Sequence, residues 1–233
     1  YQDSMQLVRK YGKPDFFITF TCNARWADIE KGLLPNQTPQ DRPDLVARVF
    51  HAKLHDFIVD ITKNKCMGEV AGFCYTIEFQ KRGLPHAHIL LYLKNGPRSV
   101  EDFDNIVSAE IPDEAMVADL YAKVKAHMMH GPCGLSNQRY SCMKNGVCTK
   151  KSPKAFKTAT SMSLNSYPVY RRRQNSRHVL KHVRGREILL DNRHVVPYNP
   201  YSLRKYDAHI NVEVCSSVQS IKYIHKYIHK GYN

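Results

Sequence analysis

"GEVAGFCYTIEFQ" (residues 68–80), "KRGL" (81–84) and "PHAHILLYLK" (85–94) decide how this chain folds. Two alternating apolar runs joined by a short glycine-containing link predict a β-hairpin. Successive side chains on a strand point to opposite faces. One face of the hairpin therefore carries Ala87, Ile89, Leu91 and Leu93 with Phe73, Tyr75, Ile77 and Phe79, and is expected to be core. The other carries His86 and His88 with Thr76, Glu78 and Gln80. The same parity sets Thr19 and Thr21 against Ile18 and Phe20, and Asn211 and Glu213 against Val212 and Val214. A whole sheet face is thus expected to be polar.

Outward from the hairpin, "DFFITFTCN" (15–23) and "DAHINVEVC" (207–215) read as further strands. Residues 42–63 place Leu45, Val46, Val49, Phe50, Leu54, Phe57 and Ile58 at helical spacing behind Pro43, and 113–130 is a second helical stretch. A third helix, 216–231, starts at serine and ends at Gly231. Strand, helix, two strands, helix, insertion, strand, helix: the order predicts an α+β fold, a central antiparallel sheet flanked by helices.

The 233 residues carry a net charge of +14. An excess this large favours a polyanionic partner, nucleic acid first. No apolar run approaches the roughly 20 residues of a membrane span. Seven cysteines, four of them in or near apolar stretches, suggest an intracellular reducing compartment. A start without Met and a stop at "KGYN" suggest a piece of a longer polypeptide.

Imidazoles at i and i+2 of a strand point the same way, about 7 Å apart at the backbone. With an oxygen from the next strand, Glu78 or alternatively Gln80, His86 and His88 make an N,N,O site suited to Mn²⁺, Mg²⁺ or Zn²⁺. The plain alternative is a pair of half-exposed histidines on a solvated face.

At about 100° per residue, the 216–231 helix sorts Ile221, Ile224 and Ile228 into one stripe and Lys222, Lys226 and Lys230 into another. Tyr223 and Tyr227 lie beside the lysines. These tyrosines can stack on a neighbour. They can also serve as nucleophiles, a phenol attacking phosphorus while a hydroxyl leaves and lysines lower the tyrosine pKa. The ester formed conserves the bond energy for religation.

His86-Ala87-His88 with a following Tyr-x-x-x-Tyr helix resembles the HUH endonucleases of rolling-circle replication. The ordered set "FFITFTCN", "EFQKRGLPHAHILL", "HGPCG", "VVPYNPY", "HINVEVC" and "KYIHKYIHKG" is similar to the replication-initiator (Rep) domain of Helitron transposases. The resemblance runs from about Tyr1 to Gly231. It implies a nuclease that nicks single-stranded DNA at transposon ends, forming a 5′-phosphotyrosine link and a free 3′-hydroxyl. By the same resemblance His86 and His88 are metal ligands with Glu78 as the acidic third, Tyr223 and Tyr227 are nucleophiles, and a helicase domain belongs to the same full-length polypeptide. Lys226, between the two tyrosines in the sequence, is expected from its charge to assist them. In a eukaryotic host it would act in the nucleus. His225 and His229 stand where Helitrons often carry aromatic residues. The rival readings are a viral or plasmid initiator, a non-catalytic single-strand-binding module, and a zinc phosphodiesterase that uses water.

"HMMHGPCGLSNQRYSCMKNGVC" (127–148) offers His130, Cys133, Cys142 and Cys148 for structural Zn²⁺, with His127 as a rival ligand and plain thiols as the alternative. Residues 150–186 hold eleven Lys or Arg and no Asp or Glu. Interleaved aromatics there suit single-stranded DNA, with Arg171, Arg172 and Arg173 as phosphate contacts beside Lys222 and Lys230. One nuclease domain, 1–233, is expected, with 127–200 as a zinc-stabilised basic insertion.

Overall fold

The computed structural model describes residues 6, 9–80, 83–97, 99–134, 137–162, 168–183 and 185–215. In chain order they form β1 (Phe16–Thr21), α1 (Ala27–Glu30), α2 (Pro43–Thr62), β2 (Val70–Phe79), β3 (Pro85–Leu93), α3 (Val100–Ile106), α4 (Ala118–His127), β4 (Met143–Lys144), β5 (Val147–Cys148), β6 (Val179–Val183), β7 (Arg186–Leu190), α5 (Pro200–Tyr206) and β8 (Ile210–Val214). The helix expected over 216–231 lies outside the described residues.

The central sheet has the order β2-β3-β1-β8, with every neighbouring pair antiparallel. Its register sets Thr21 beside His86 and Thr19 beside His88, with Thr76 and Glu78 across from the same two histidines. One face is core: Phe16, Ile18 and Phe20 of β1, Ala87, Ile89 and Leu91 of β3, and Ile210, Val212 and Val214 of β8. α2 closes this face because Val46, Phe50, Leu54, Phe57 and Ile61 recur every three or four residues and are buried. Phe20 stacks on Phe57 at 5.0 Å and meets Tyr206 edge-on at 5.7 Å. The buried Asp60 anchors α2 to α5 by accepting hydrogen bonds from Tyr206 Oη (2.6 Å) and Lys205 Nζ (2.7 Å). Among the described residues no helix is long and apolar enough to cross a membrane.

The alternation puts Tyr75, Ile77 and Phe79 in the core, and this is corrected. They are exposed at 46%, 37% and 52%. β2 is the edge strand, and the core reaches it only at Val70 and Phe73. The opposite sheet face is not polar throughout either. Leu90 and Tyr92 are buried there with Phe17, Ala71, Cys74 and Tyr11, so the polar residues are concentrated in the half that holds the histidines.

The helix expected over 113–130 is shorter, because Asp113 accepts from Ala115 N and Val117 N in a turn before α4 begins. α3 carries a capping box, Ser99 and Asp102 each accepting the other's backbone N–H. The stretch expected as a basic insertion, 127–200, shares a second core with the residues that flank it. Ile111, Leu120, Val124, Met128, Val179, Val195, Tyr198 and Leu203 pack together from α4, α5, β6 and the 195–198 segment.

Candidate active site and metal centre

His86 and His88 leave β3 on the same face, with ring centroids 6.5 Å apart. β1 holds both rings from one side. Thr21 Oγ1 lies 3.0 Å from Nδ1 of His86, and Thr19 Oγ1 lies 3.2 Å from Nδ1 of His88. Phe17 stacks on His88 at 5.8 Å with the planes 7° apart. With Nδ1 engaged, each ring presents Nε2 as its remaining nitrogen. Nε2 of His88 meets Glu78 Oε2 at 3.3 Å. Nε2 of His86 is buried and has no hydrogen-bond partner among the described residues. Burial, then the neighbouring His88 and His209, lowers the His86 pKa to about 4. The ring is therefore neutral near pH 7, the form that binds a cation. An orphaned imidazole nitrogen, a second imidazole and a carboxylate are donors of the kind that suit a divalent cation. Gln80, the alternative oxygen ligand, is exposed just past the end of β2.

Nothing in the residue pattern marks Thr19 and Thr21 as partners of the histidines. Only the β1–β3 register brings them there. The nucleophile candidates Tyr223 and Tyr227, with Lys222, Lys226 and Lys230, lie outside the described residues.

A second group is gathered more tightly. His130, Cys133, Cys142 and Cys148 offer ligand atoms that all lie within 4.8 Å of one another, the one such group of three or more His, Cys, Asp or Glu among the described residues. His130 Nε2 lies 3.6 Å from Cys133 Sγ and 3.4 Å from the Sγ atoms of Cys142 and Cys148. A tetrahedral zinc with ordinary Zn–N and Zn–S bonds needs N···S edges of about 3.6 Å. The cluster matches that, and it can bind a metal such as zinc. His130 lies three residues past the end of α4, and the β4–β5 hairpin brings in Cys148 together with Cys142, which immediately precedes β4. Its two-residue turn is Asn145-Gly146, with φ of 49° and 77°, where glycine tolerates the left-handed backbone. Burial, reinforced by the neighbouring thiols, pushes Cys133 up to about 12. Cys148 is drawn below its usual value despite burial by the N–H groups of Ser152 and Lys150. The rival ligand His127 is engaged elsewhere, its Nε2 3.1 Å from Asp207 Oδ1.

The YRRR arginines divide. Arg172, expected at a phosphate, is corrected to a structural residue. It is 4% exposed, and its Nη1 donates to the carbonyls of Asn192 (2.6 Å), Val195 (2.7 Å) and Ala109 (3.2 Å). Arg173 is paired with Glu110 at 2.6 Å, and Arg171 with Asp104 at 3.1 Å.

Residues 1–91 match the family model described as the Helitron helicase-like domain at the N-terminus. The match ends within β3 and so includes Thr19, Thr21, Glu78, His86 and His88, but not the Cys/His cluster. No curated protein matches the chain. Those first 91 residues, which carry both histidines, are similar to the Helitron helicase-like N-terminal domain.

Proposed function

We propose that this chain is a metal-dependent HUH-type endonuclease of a rolling-circle transposon, nicking single-stranded DNA through a tyrosine. The observation that carries the reading is the His86–His88 pair. Two imidazoles are braced at Nδ1 by threonines, and the free Nε2 of His86 is buried beside the carboxylate that faces His88. A four-stranded antiparallel sheet, with helices on one face and this pair on the other, supports an HUH-like fold. The Helitron-type match over the same strands supports the transposon setting.

A divalent cation, Mn²⁺ or Mg²⁺, held by His86, His88 and Glu78 supplies Lewis-acid polarisation of a phosphodiester when bound. Thr21 and Thr19 keep the rings turned toward it. Tyr223 or Tyr227 supplies the phenol. Its oxygen bonds to phosphorus, the bond from phosphorus to the 3′ oxygen breaks, and the phenolic proton passes by solvent to the departing 3′-hydroxyl. Lys226 offsets the charge on the phosphate, with Lys222 and Lys230 four residues to either side of it in the sequence. The link to tyrosine can be reversed by a second 3′-hydroxyl, so no nucleotide is consumed. A helicase domain of the full-length polypeptide would supply the single strand.

The test is incubation with labelled single-stranded DNA from a transposon end and Mn²⁺, run on a denaturing gel beside Tyr223→Phe, Tyr227→Phe and the double variant. A label that stays on the protein and disappears in the double variant is expected. Cleavage without an adduct would make water the nucleophile and sink the tyrosine step. Binding without cleavage would reduce the chain to a binding module.

A further inference from the structure

Between Asp119 and Glu187 the chain has fifteen Lys or Arg and no Asp or Glu. The fold sorts these cations into two kinds. Arg171, Arg173 and Arg177 are spent on Asp104, Glu110 and Asp113, and Arg172 on carbonyls. Lys144, Lys150, Lys151, Lys154 and Lys157 are exposed, and none of them forms an ion pair among the described residues.

Three of these lysines are fixed to the Cys/His cluster. The backbone N–H of Lys150 points at Cys148 Sγ, Lys151 N donates to Cys148 O at 2.9 Å, and Lys154 Nζ folds back on Lys150 O at 2.8 Å. Lys150 and Lys154 both lie close enough to His130 to oppose its protonation. Lys154 also feels the carboxylate of Glu213, and Glu213 sits on the histidine-bearing face of the sheet, opposite Phe17 of β1. Lys154 thus stands near Glu213 at the β8 border of that face, one register step along β8 from the row Asn211–Thr19–His88.

We propose that Lys150, Lys151 and Lys154, held in place by a metal-loaded His130–Cys133–Cys142–Cys148 cluster, form the phosphate-binding surface that leads single-stranded DNA to the His86–His88 face. This rests on the reading that single-stranded DNA is the partner, and moves its grip from the YRRR arginines to the metal knuckle. A strand crossing β8 would exchange condensed counterions for these ammonium groups.

Binding of fluorescein-labelled oligothymidylate by the zinc-loaded chain, without Mn²⁺, is followed by anisotropy across a salt series. Each single-strand phosphate contact contributes about 0.7 to the slope of log affinity against log salt. Changing Lys150, Lys151 and Lys154 to Gln should lower that slope by about 2, whereas Arg171→Gln with Arg173→Gln should lower it by less than 1. Cys142→Ser, or zinc removal by a chelator, should reproduce the lysine loss while the emission of Trp26, the single tryptophan, stays that of a buried ring. An unchanged slope in the lysine variant overturns the surface and leaves the nuclease reading standing. No binding by the intact chain overturns both. No cleavage when Mn²⁺ is then added, with binding and slope intact, would strike the nuclease reading alone.

Discussion

The hydroxyl of Thr21 lies 3.0 Å from Nδ1 of His86, across a register in which β1 and β3 run antiparallel. In the proposed metal site, that bond fixes which nitrogen of the ring is left for the cation. An imidazole free to turn would offer either nitrogen, and its binding energy would be reduced by the entropy of ordering it.

Thr21→Val keeps the shape of the side chain and removes the hydroxyl. Losing the outer partner of a ligating histidine typically weakens metal binding 10- to 100-fold. Titration calorimetry with Mn²⁺ should therefore show at least about a tenfold loss. The urea midpoint should move little, since Thr21 is half-buried at the end of its strand. Unchanged Mn²⁺ affinity would mean that the hydroxyl does not orient the ring.

Phe20 and Phe79 have the same side chain and the same strand-face parity, yet opposite roles. Phe20 is fully buried among Phe57, Trp26 and Tyr206, while Phe79 is 52% exposed on the edge strand. Phe20→Ala should cost about 3–5 kcal/mol of unfolding free energy. Phe79→Ala should cost less than about 1 kcal/mol. Chemical denaturation of both variants checks this, and comparable losses would place Phe79 in a core.

The contrast also marks the limit of the sequence. Alternation assigns Phe79 to a face correctly, but cannot tell a central strand from an edge. The hairpin, β1, β8 and α2 were legible because their periods are unbroken and their ends carry punctuation such as Pro43. The His86–His88 pair and the Cys/His cluster were legible from spacing alone. Thr19 and Thr21 as ring partners were not, because a β1–β3 register spans nearly 70 residues of intervening chain. The fate of Arg172 was hidden for a similar reason. A run of three arginines looks uniformly exposed until the carbonyls of Ala109, Asn192 and Val195 converge on the middle one.

Arg172→Met tests that assignment. The change would leave those buried carbonyls without their shared donor, at about 1–3 kcal/mol for each group left unsatisfied. A stability loss of at least about 2 kcal/mol is expected, with no change in the salt dependence of DNA binding beyond the folded fraction. A variant of full stability with a lower salt slope would return Arg172 to the phosphate contacts.

Acid should loosen the metal-free fold through its buried imidazoles. His86 titrates near 4 in the folded chain, against an ordinary value of 6.5. His209, whose Nδ1 donates to the carbonyl of His127 at 2.7 Å, is likewise lowered, first by its burial. Between pH 6.5 and 4 the unfolded chain binds protons that the folded chain refuses, so unfolding free energy falls as pH falls. The His86 share is about 3 kcal/mol at most, present in full above pH 6.5 and gone near pH 4. Urea melts of the metal-free chain at pH 7 and pH 4.5 should differ in this direction. His86→Asn should flatten the difference without abolishing it, since His209 still titrates. A pH dependence identical in the variant and the parent would mean that His86 is as easily protonated folded as unfolded, and would remove the argument that its Nε2 is held neutral for a cation.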